Sequence, residues 1–351
     1  MAFLFPPQPD PNPTLPCPNP NQVRYLAIGN EDCHHAYYAA NYLAIRSAVK
    51  RRYPAIRFIA NCDLSKAGAL PALAGYTPTS LPADVVDAYD VHFYAPASAF
   101  LAARDQYAGC DPAAPKLFLS EYAATCSPPQ CTTGTLSNAV AEAAWLVGLE
   151  RHGDCVELAA YAPLFARRES ASWSPNAVIF NSTHAFGTPS YWVSRLFASH
   201  RGVRALSAVV GDTENEVDAA DGAATESSLA HSVTLDAAGR VIIKLVNIDS
   251  STALPVRVQM DTTTVRGALG VAGDEDDVTT RDDMFASAHW DYVSGPSGDA
   301  ENSMDQPEHV SIRSRDISTH LIADGIALTL PPMSVSVVCL VPADHTVAAS
   351  K

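Results

Sequence analysis

Nothing in this sequence approaches the roughly 18 consecutive apolar residues that a bilayer span requires, so no membrane partner is expected. Basic side chains are scarce. The chain has 23 Lys and Arg against 38 Asp and Glu, a net charge of −15, which argues against a nucleic-acid backbone as partner. There is no GxGxxG after a strand and no P-loop. A GxSxG elbow and an HExxH zinc helix are also missing, so α/β-hydrolase and zincin chemistry have no footing. Cysteine is sparse, with eight in 351 residues, too few for a disulfide scaffold. Cys126 and Cys131, in CSPPQC, could close a small loop in an oxidising compartment or remain free thiols, and spacing alone does not decide between them. The run Cys33-His34-His35 lacks a second ligand pair at zinc-binding spacing, so no metal is expected.

What is present is a globular composition, 47% hydrophobic and 17% charged, long enough for a sizeable core and two domains. Charge divides the chain unevenly. Residues 1–200 carry 13 basic and 15 acidic side chains, and residues 201–351 carry 10 and 23. Two units with different tasks are expected, the acidic one with a solvated surface, including a loop over 274–283 that lacks the ligand order of an EF-hand.

Residues 1–22 read as a proline-rich irregular leader, with eight prolines between Pro6 and Pro20. The opening MAFLF lacks a basic flank and is cut short by Pro6 and Pro7, so no secretion signal is visible. Either the chain is intracellular or its true N-terminus lies upstream. Regular structure then begins at once. Apolar strand candidates at 23–29, 56–61, 89–94, 116–122 and 156–162 alternate with helical patterns at 36–52, 97–107, 135–151 and 188–199. Leu136, Val140, Ala144 and Val147 mark one face of the third helix. This alternation predicts a parallel sheet, but about five βα units fall short of the eight that close a (β/α)8 barrel. After 201 the helical period disappears. Strand-like runs within 233–249 and at 255–260, 309–312, 326–330 and 334–341 are separated by turn residues, which predicts an antiparallel β-sandwich. The expected fold is therefore a partial (β/α)8 TIM-type barrel over 23–200 followed by an all-β sandwich over 201–345.

Active sites of parallel α/β folds lie at the C-terminal ends of the strands. The first strand ends in Gly29-Asn30-Glu31-Asp32, the third in His92-Phe93-Tyr94 and the fourth in Ser120-Glu121-Tyr122. Two glutamates at two strand ends of one sheet suit glycoside hydrolysis, where one carboxyl protonates the leaving oxygen and the other attacks or activates water. Each taken singly could be a surface ion-pair partner. His92 and Tyr94 could be satisfied structural groups, and Tyr122 is read as structural.

At these same positions the chain resembles a known family. The blocks YLAIGNEDC, DVHFYAPAS, KLFLSEYAAT, AEAAWLVGLER, AAYAPLFAR, SWSPNAVIFNS and FGTPSYWVSRLF resemble, in order and spacing, those of the plant-type α-L-arabinofuranosidases of glycoside hydrolase family 51. The likeness runs from about Val23 to Phe197 and continues more weakly to about Val341, with AENSMDQPEHV similar to a family loop. It implies a retaining, extracellular, cofactor-free hydrolase that releases terminal non-reducing α-L-arabinofuranose from arabinan- or arabinoxylan-type polysaccharide or oligosaccharide. It implies Glu31 as acid/base, Glu121 as nucleophile, and Asn30, His92 and Tyr94 as substrate-binding or orienting residues. Glu31 must then be protonated when the bond breaks and Glu121 ionised, and the ionised Glu121 nearby favours the protonated Glu31. Aligned this way, the family's first three βα units have no counterpart before Val23, and open strand edges remain. A fragment, an inactive truncated paralogue or carbohydrate-binding protein, and a chain completed by a partner or as a homo-oligomer each accommodate this. The family's chemistry on another sugar, in xylan or galactan, stays open as well.

Overall fold

The computed structural model describes residues 23–33, 35–62, 81–126, 132–211, 228–261, 267, 285–317 and 325–343. The leader at 1–22 and the acidic loop at 274–283 lie outside them. The chain forms two compact units, one of residues up to Ala95 with Gln106–Ala123 and His152–Pro163, the other of Pro96–Asp105, Ala124–Arg151 and Leu164 onward.

In the first unit β1 (Tyr25–Ile28), β2 (Arg57–Cys62), β3 (Ala88–Pro96), β4 (Lys116–Thr125) and β5 (Val156–Tyr161) form one five-stranded sheet in chain order. The pairings β1–β2, β2–β3 and β4–β5 are parallel. Helix α1 (Tyr38–Arg52) follows β1 and is closed by Lys50, Arg51 and Arg52 in its last turn, cations suited to the negative end of the helix dipole. It buries Tyr38 and Tyr42 with Ile28, Ile56, Phe58 and Tyr89 in a shared core. The Tyr42 hydroxyl is not wasted there, since it donates to the Val85 carbonyl at 3.1 Å.

The outer strands of this sheet meet through side chains. Tyr25 on β1 donates its hydroxyl to Glu157 on β5, and Arg57 pairs with the same carboxylate at 3.1 Å. Four strand steps of about 4.8 Å would hold β1 and β5 about 19 Å apart in a flat sheet, beyond the reach of a tyrosine and a glutamate. The sheet is therefore strongly curved, as part of a barrel wall must be. A disulfide joins Cys110 to Cys155 just before β5, a pairing the sequence did not reveal. Cys126 is disulfide-bonded as well, and Cys131 lies outside the described residues.

The second unit contains α2 (Ala97–Ala102), α3 (Leu136–Arg151), the short strands β6 (Phe165–Arg167), β7 (Val178–Phe180) and β8 (Ala185–Gly187), and α4 (Pro189–Ser199). It continues with β9 (Arg204–Leu206), β10 (Leu229–Leu235), β11 (Val241–Asn247), β12 (Leu254–Val258), β13 (Phe285–Val293), β14 (Ile312–Ile317), β15 (Ile326–Leu330) and β16 (Ser334–Pro342). The long antiparallel sheet runs β14-β13-β16-β11-β10-β9, and β12 pairs with β15. Strand β11 is buried along its whole length. Val241, Ile243 and Leu245 enter one apolar cluster with Ile326, Leu328 and Leu330 of β15. On its alternate face the fully buried Lys244 reaches Glu150 of α3 and lies 4.6 Å from the Phe197 ring of α4. Covered on both faces, α3 buries nearly every residue from Leu136 to Leu149, more than the single stripe expected.

Two local expectations are corrected. The helix foreseen over 97–107 ends at Ala102, where the Ala103 N–H bonds the Ala99 and Phe100 carbonyls, and the Arg104 carbonyl beyond it seats against Gly148 of α3, where a Cβ would lie 1.8 Å from it. The strand foreseen at 309–312 begins only at Ile312. Before it, Val310 is held by backbone bonds to the Asn302 side chain, with 2.7 Å and 2.8 Å separations. Among the described residues no helix is long and apolar enough to cross a membrane.

Candidate active site

The site is built on the turn after β1 and on residues 90–94 of β3 and 120–121 of β4, within the first unit. Both strands run on past these positions, to Pro96 and Thr125, so the strand ends expected at Tyr94 and Tyr122 are corrected. After β1 the chain turns sharply. Gly29 has φ +93°, and a Cβ there would lie 2.3 Å from Asp32 Oδ1 and 2.8 Å from the Tyr38 ring, so the turn requires glycine. Asp32 accepts from the Asn30 backbone N–H at 3.1 Å and from Asn61 Nδ2 at 3.2 Å. Tyr38 donates its hydroxyl to the Ile28 carbonyl at 2.9 Å and accepts the Asn61 N–H at 2.7 Å. This frame holds Glu31 at φ +51°, a left-handed conformation that costs a non-glycine residue about 1–2 kcal/mol and is typical of functional sites. Asn30 is exposed beside it.

On β3 the two-residue repeat puts Asp90, His92 and Tyr94 on one face, with Asp90 and His92 almost fully buried. On β4 the pairing with β5 slips between Leu119 and Tyr122, where three β4 residues oppose two on β5. The extra residue falls at Ser120-Glu121, and such a bulge re-aims side chains. Two neighbours that would ordinarily point to opposite faces both reach β3. Ser120 donates its hydroxyl to Asp90 Oδ1, and Glu121 Oε2 accepts from the Tyr94 hydroxyl at 2.7 Å.

The centre of this arrangement is His92. Its Nδ1 lies 2.9 Å from Glu31 Oε1 and 3.5 Å from Glu121 Oε2, and its Nε2 lies 3.2 Å from Asp90 Oδ2. When Glu31 and Asp90 are both ionised, the two ring nitrogens each face an acceptor, and the imidazolium supplies a donor to each. Burial pulls its pKa down. The hydrogen bonds from Asp90 and Glu31, with the charges of Asp90 and Glu121, outweigh that and raise it to about 9. Tyr94 is pushed well above the usual phenol range by burial and by its bond to Glu121, so it stays a hydroxyl donor.

One oxygen of Glu31, one of Glu121 and a His92 nitrogen all lie within 4.8 Å of one another. The same three groups can surround a cation only if His92 gives up the proton on Nδ1. Cys110, Asp154 and Cys155 also converge, yet both sulfurs are consumed in the disulfide. Cys33 is half-buried, and His35 stacks on Tyr37.

The structure thus brings Glu31, His92, Tyr94 and Glu121 together, with Asn30 on the turn that carries Glu31. Tyr122 is buried edge-on against Tyr161 at 5.5 Å. Sequence reasoning did not single out Asp90, Ser120, Asp32 or Asn61. For Asp90 a signal existed, two residues before His92 on the same strand face.

Family profiles and curated relatives both point to the α-L-arabinofuranosidases. A family profile described as the α-L-arabinofuranosidase C-terminal domain matches residues 120–334, and one described as the α-L-arabinofuranosidase 1 domain matches residues 15–111. The chain is 42% identical over 191 residues to α-L-arabinofuranosidase 1 of Arabidopsis thaliana, covering 54% of this chain and 26% of that protein. It is 38% identical over 202 residues to α-L-arabinofuranosidase 2 of the same plant, covering 58% and 28%. The chain therefore spans about a quarter of the length of the curated relatives it matches. Among solved structures it resembles in fold the arabinose complex of the Thermotoga maritima α-L-arabinofuranosidase, with TM-score 0.63, 20% identity and coverage of 93% of this chain and 68% of that one.

Proposed function

The chain belongs to the α-L-arabinofuranosidases of glycoside hydrolase family 51, and from that premise we propose that it is a retaining glycosidase releasing terminal non-reducing α-L-arabinofuranose from arabinan- or arabinoxylan-type glycans. The observation that carries the retaining reading is the carboxylate pair, with oxygens of Glu31 and Glu121 within 4.8 Å. Retaining enzymes hold their carboxyls about 5–5.5 Å apart, whereas inverting ones leave about 6.5–9.5 Å for a water.

In this reading Glu121 is the nucleophile. Its Oε attacks the anomeric carbon as the glycosidic C–O bond breaks, and the departing oxygen takes the proton of Glu31. Glu31, now a carboxylate, then removes a proton from water, whose oxygen displaces Glu121 and restores both groups. Tyr94 fits the nucleophile role of Glu121, because its hydroxyl, which stays a donor, fixes Oε2 in place. Asn30, on the Glu31 turn, is placed to meet the sugar. The carboxyls supply the chemistry without a cofactor.

Residues 23–200 are assigned as the catalytic segment and 201–345 as a β-sandwich, its leaves being the six-stranded sheet and the β12–β15 pair that share one core. The Cys110–Cys155 disulfide favours an oxidising, extracellular setting. A Streptomyces chartreusis relative, 31% identical over 189 residues, is named an extracellular exo-α-L-arabinofuranosidase.

The test is hydrolysis of 4-nitrophenyl α-L-arabinofuranoside by the 351-residue chain, with the first-formed arabinose anomer followed by NMR. Turnover with retained configuration, lost in Glu121→Ala, supports the reading. Folded protein without turnover, or inversion at the anomeric carbon, rejects it.

A further inference from the structure

We propose that Asp90 and Ser120 are positioning residues, which hold the His92 imidazolium so that one N–H serves Glu121 and Glu31 in alternation as negative charge moves between them. This rests on the retaining reading above and deepens it.

The geometry supports each part. Asp90 is buried and engages both its oxygens, Oδ2 with His92 Nε2 at 3.2 Å and Oδ1 with the Ser120 hydroxyl. Ser120 immediately precedes Glu121 on the β4 bulge. One carboxylate therefore fixes the ring of His92 and also grips the strand segment that carries the nucleophile. The Asp90–His92 pair carries no net charge, so it adds directed hydrogen bonding to the gap between the glutamates without a bare charge.

The chemistry needs such a donor. Before the first step Glu121 bears the negative charge and Glu31 the proton. When Glu121 bonds to the anomeric carbon its charge is lost, and Glu31 becomes the anion as its proton leaves with the aglycone. The second step reverses this. His92 Nδ1 lies 3.5 Å from Glu121 and 2.9 Å from Glu31, so a small tilt of the ring follows the charge in either direction. No proton leaves His92. A donor fixed in advance where charge develops lowers the barrier without solvent rearrangement. Without Asp90 the ring would lose its partner at Nε2, and with it both its orientation and its reason to stay protonated.

The experiment compares Asp90→Asn and Ser120→Ala with the wild-type chain. It uses two readouts, steady-state hydrolysis of 4-nitrophenyl α-L-arabinofuranoside against pH and the titration of His92 in the free protein by 15N NMR. For Asp90→Asn we expect kcat to fall by about 100-fold, with KM within about threefold, and both the alkaline limb and the His92 titration to move down by about one pH unit or more. Ser120→Ala keeps the Asp90 charge and should lose about 3–10-fold in kcat. It decides the question if Asp90→Asn does not fold, because an unchanged kcat in a folded Ser120→Ala then overturns the proposal. A purely structural Asp90 would lower thermal stability while leaving the limb and the His92 titration in place, and that result overturns it. If the wild-type chain shows no turnover, the functional reading fails. The clamp is then judged on the titration, where a fall in Asp90→Asn sustains it and an unchanged His92 overturns it.

Discussion

The Tyr94 hydroxyl stands 2.7 Å from Oε2 of Glu121, one strand over on the curved sheet. The phenol stays protonated because burial and the neighbouring carboxylate both oppose its ionisation, so this donor is present at any ordinary pH. Tyr94→Phe should keep the fold, since the ring remains, and remove only the bond to the nucleophile. About 10–100-fold loss in kcat is expected with little change in KM. A wild-type kcat in this variant would mean that the hydroxyl has no part in setting Glu121.

His92 links the site to stability. Burial alone would lower its pKa, but Asp90 and Glu31 as hydrogen-bond partners, with the charge of Glu121, raise it to about 9 in the folded chain. Its unfolded value is near 6.5. The folded state therefore holds the proton more tightly, and the stabilisation is complete below about pH 6.5. It is lost as pH rises through about 9, on the order of 3 kcal/mol in all. Denaturant unfolding at pH 6 and pH 9.5 should show this loss in the wild type and a smaller one in Asp90→Asn. Equal losses would separate His92 from the pH dependence.

How far the sequence disclosed this molecule depends on the range of the forces involved. The parallel strands were legible because local signals bound them, such as Gly29 after β1 and Pro54 after α1. Strand β13 was not foreseen. It follows an acidic run, and its apolar positions Ala288, Trp290 and Tyr292 alternate with His289 and Asp291, which resemble loop residues until the sheet is assembled. At the site, Glu31, His92, Tyr94 and Glu121 stood out as polar groups at strand ends. Ser120 did not, because regular alternation would turn it away from Glu121's neighbours, and only the bulge, a tertiary feature, brings it to Asp90. Cys110 and Cys155 are 45 residues apart, and nothing local pairs them.

That disulfide ties the turn region after α2 to the start of β5, where Lys116 also bonds the Pro112 and Asp154 carbonyls at 2.7 Å and 2.6 Å. Closing a loop of this length in the unfolded chain stabilises the fold by about 2–4 kcal/mol. A Cys110→Ser, Cys155→Ser double variant, which leaves Cys126 untouched, should lose that amount in urea unfolding. A loss below about 0.5 kcal/mol would mean that the native segment is held by Lys116 and packing alone.

Glu142 gives a prediction in the second unit. It is buried in α3 with Asn138 one turn before it, and the two side chains grip one peptide unit. Glu142 Oε1 accepts the Ala124 N–H at 2.7 Å, and Asn138 Nδ2 donates to the Ala124 carbonyl at 2.6 Å. Burial raises the Glu142 carboxyl to about 8, against the opposing pull of the Ala124 amide. An acid whose pKa is raised on folding costs stability as pH rises. The unfolded chain ionises above about 4.5, whereas the folded one must wait until about 8, so stability falls across that window. Glutamine keeps the acceptor for Ala124 and cannot ionise. Glu142→Gln should therefore differ little from wild type at pH 4.5 and be more stable by about 2 kcal/mol or more at pH 8. The comparison is made by denaturant unfolding at both pH values. A difference that stays constant with pH would show that Glu142 is ionised in the folded chain and that the α3 clamp on Ala124 is an ion–amide bond.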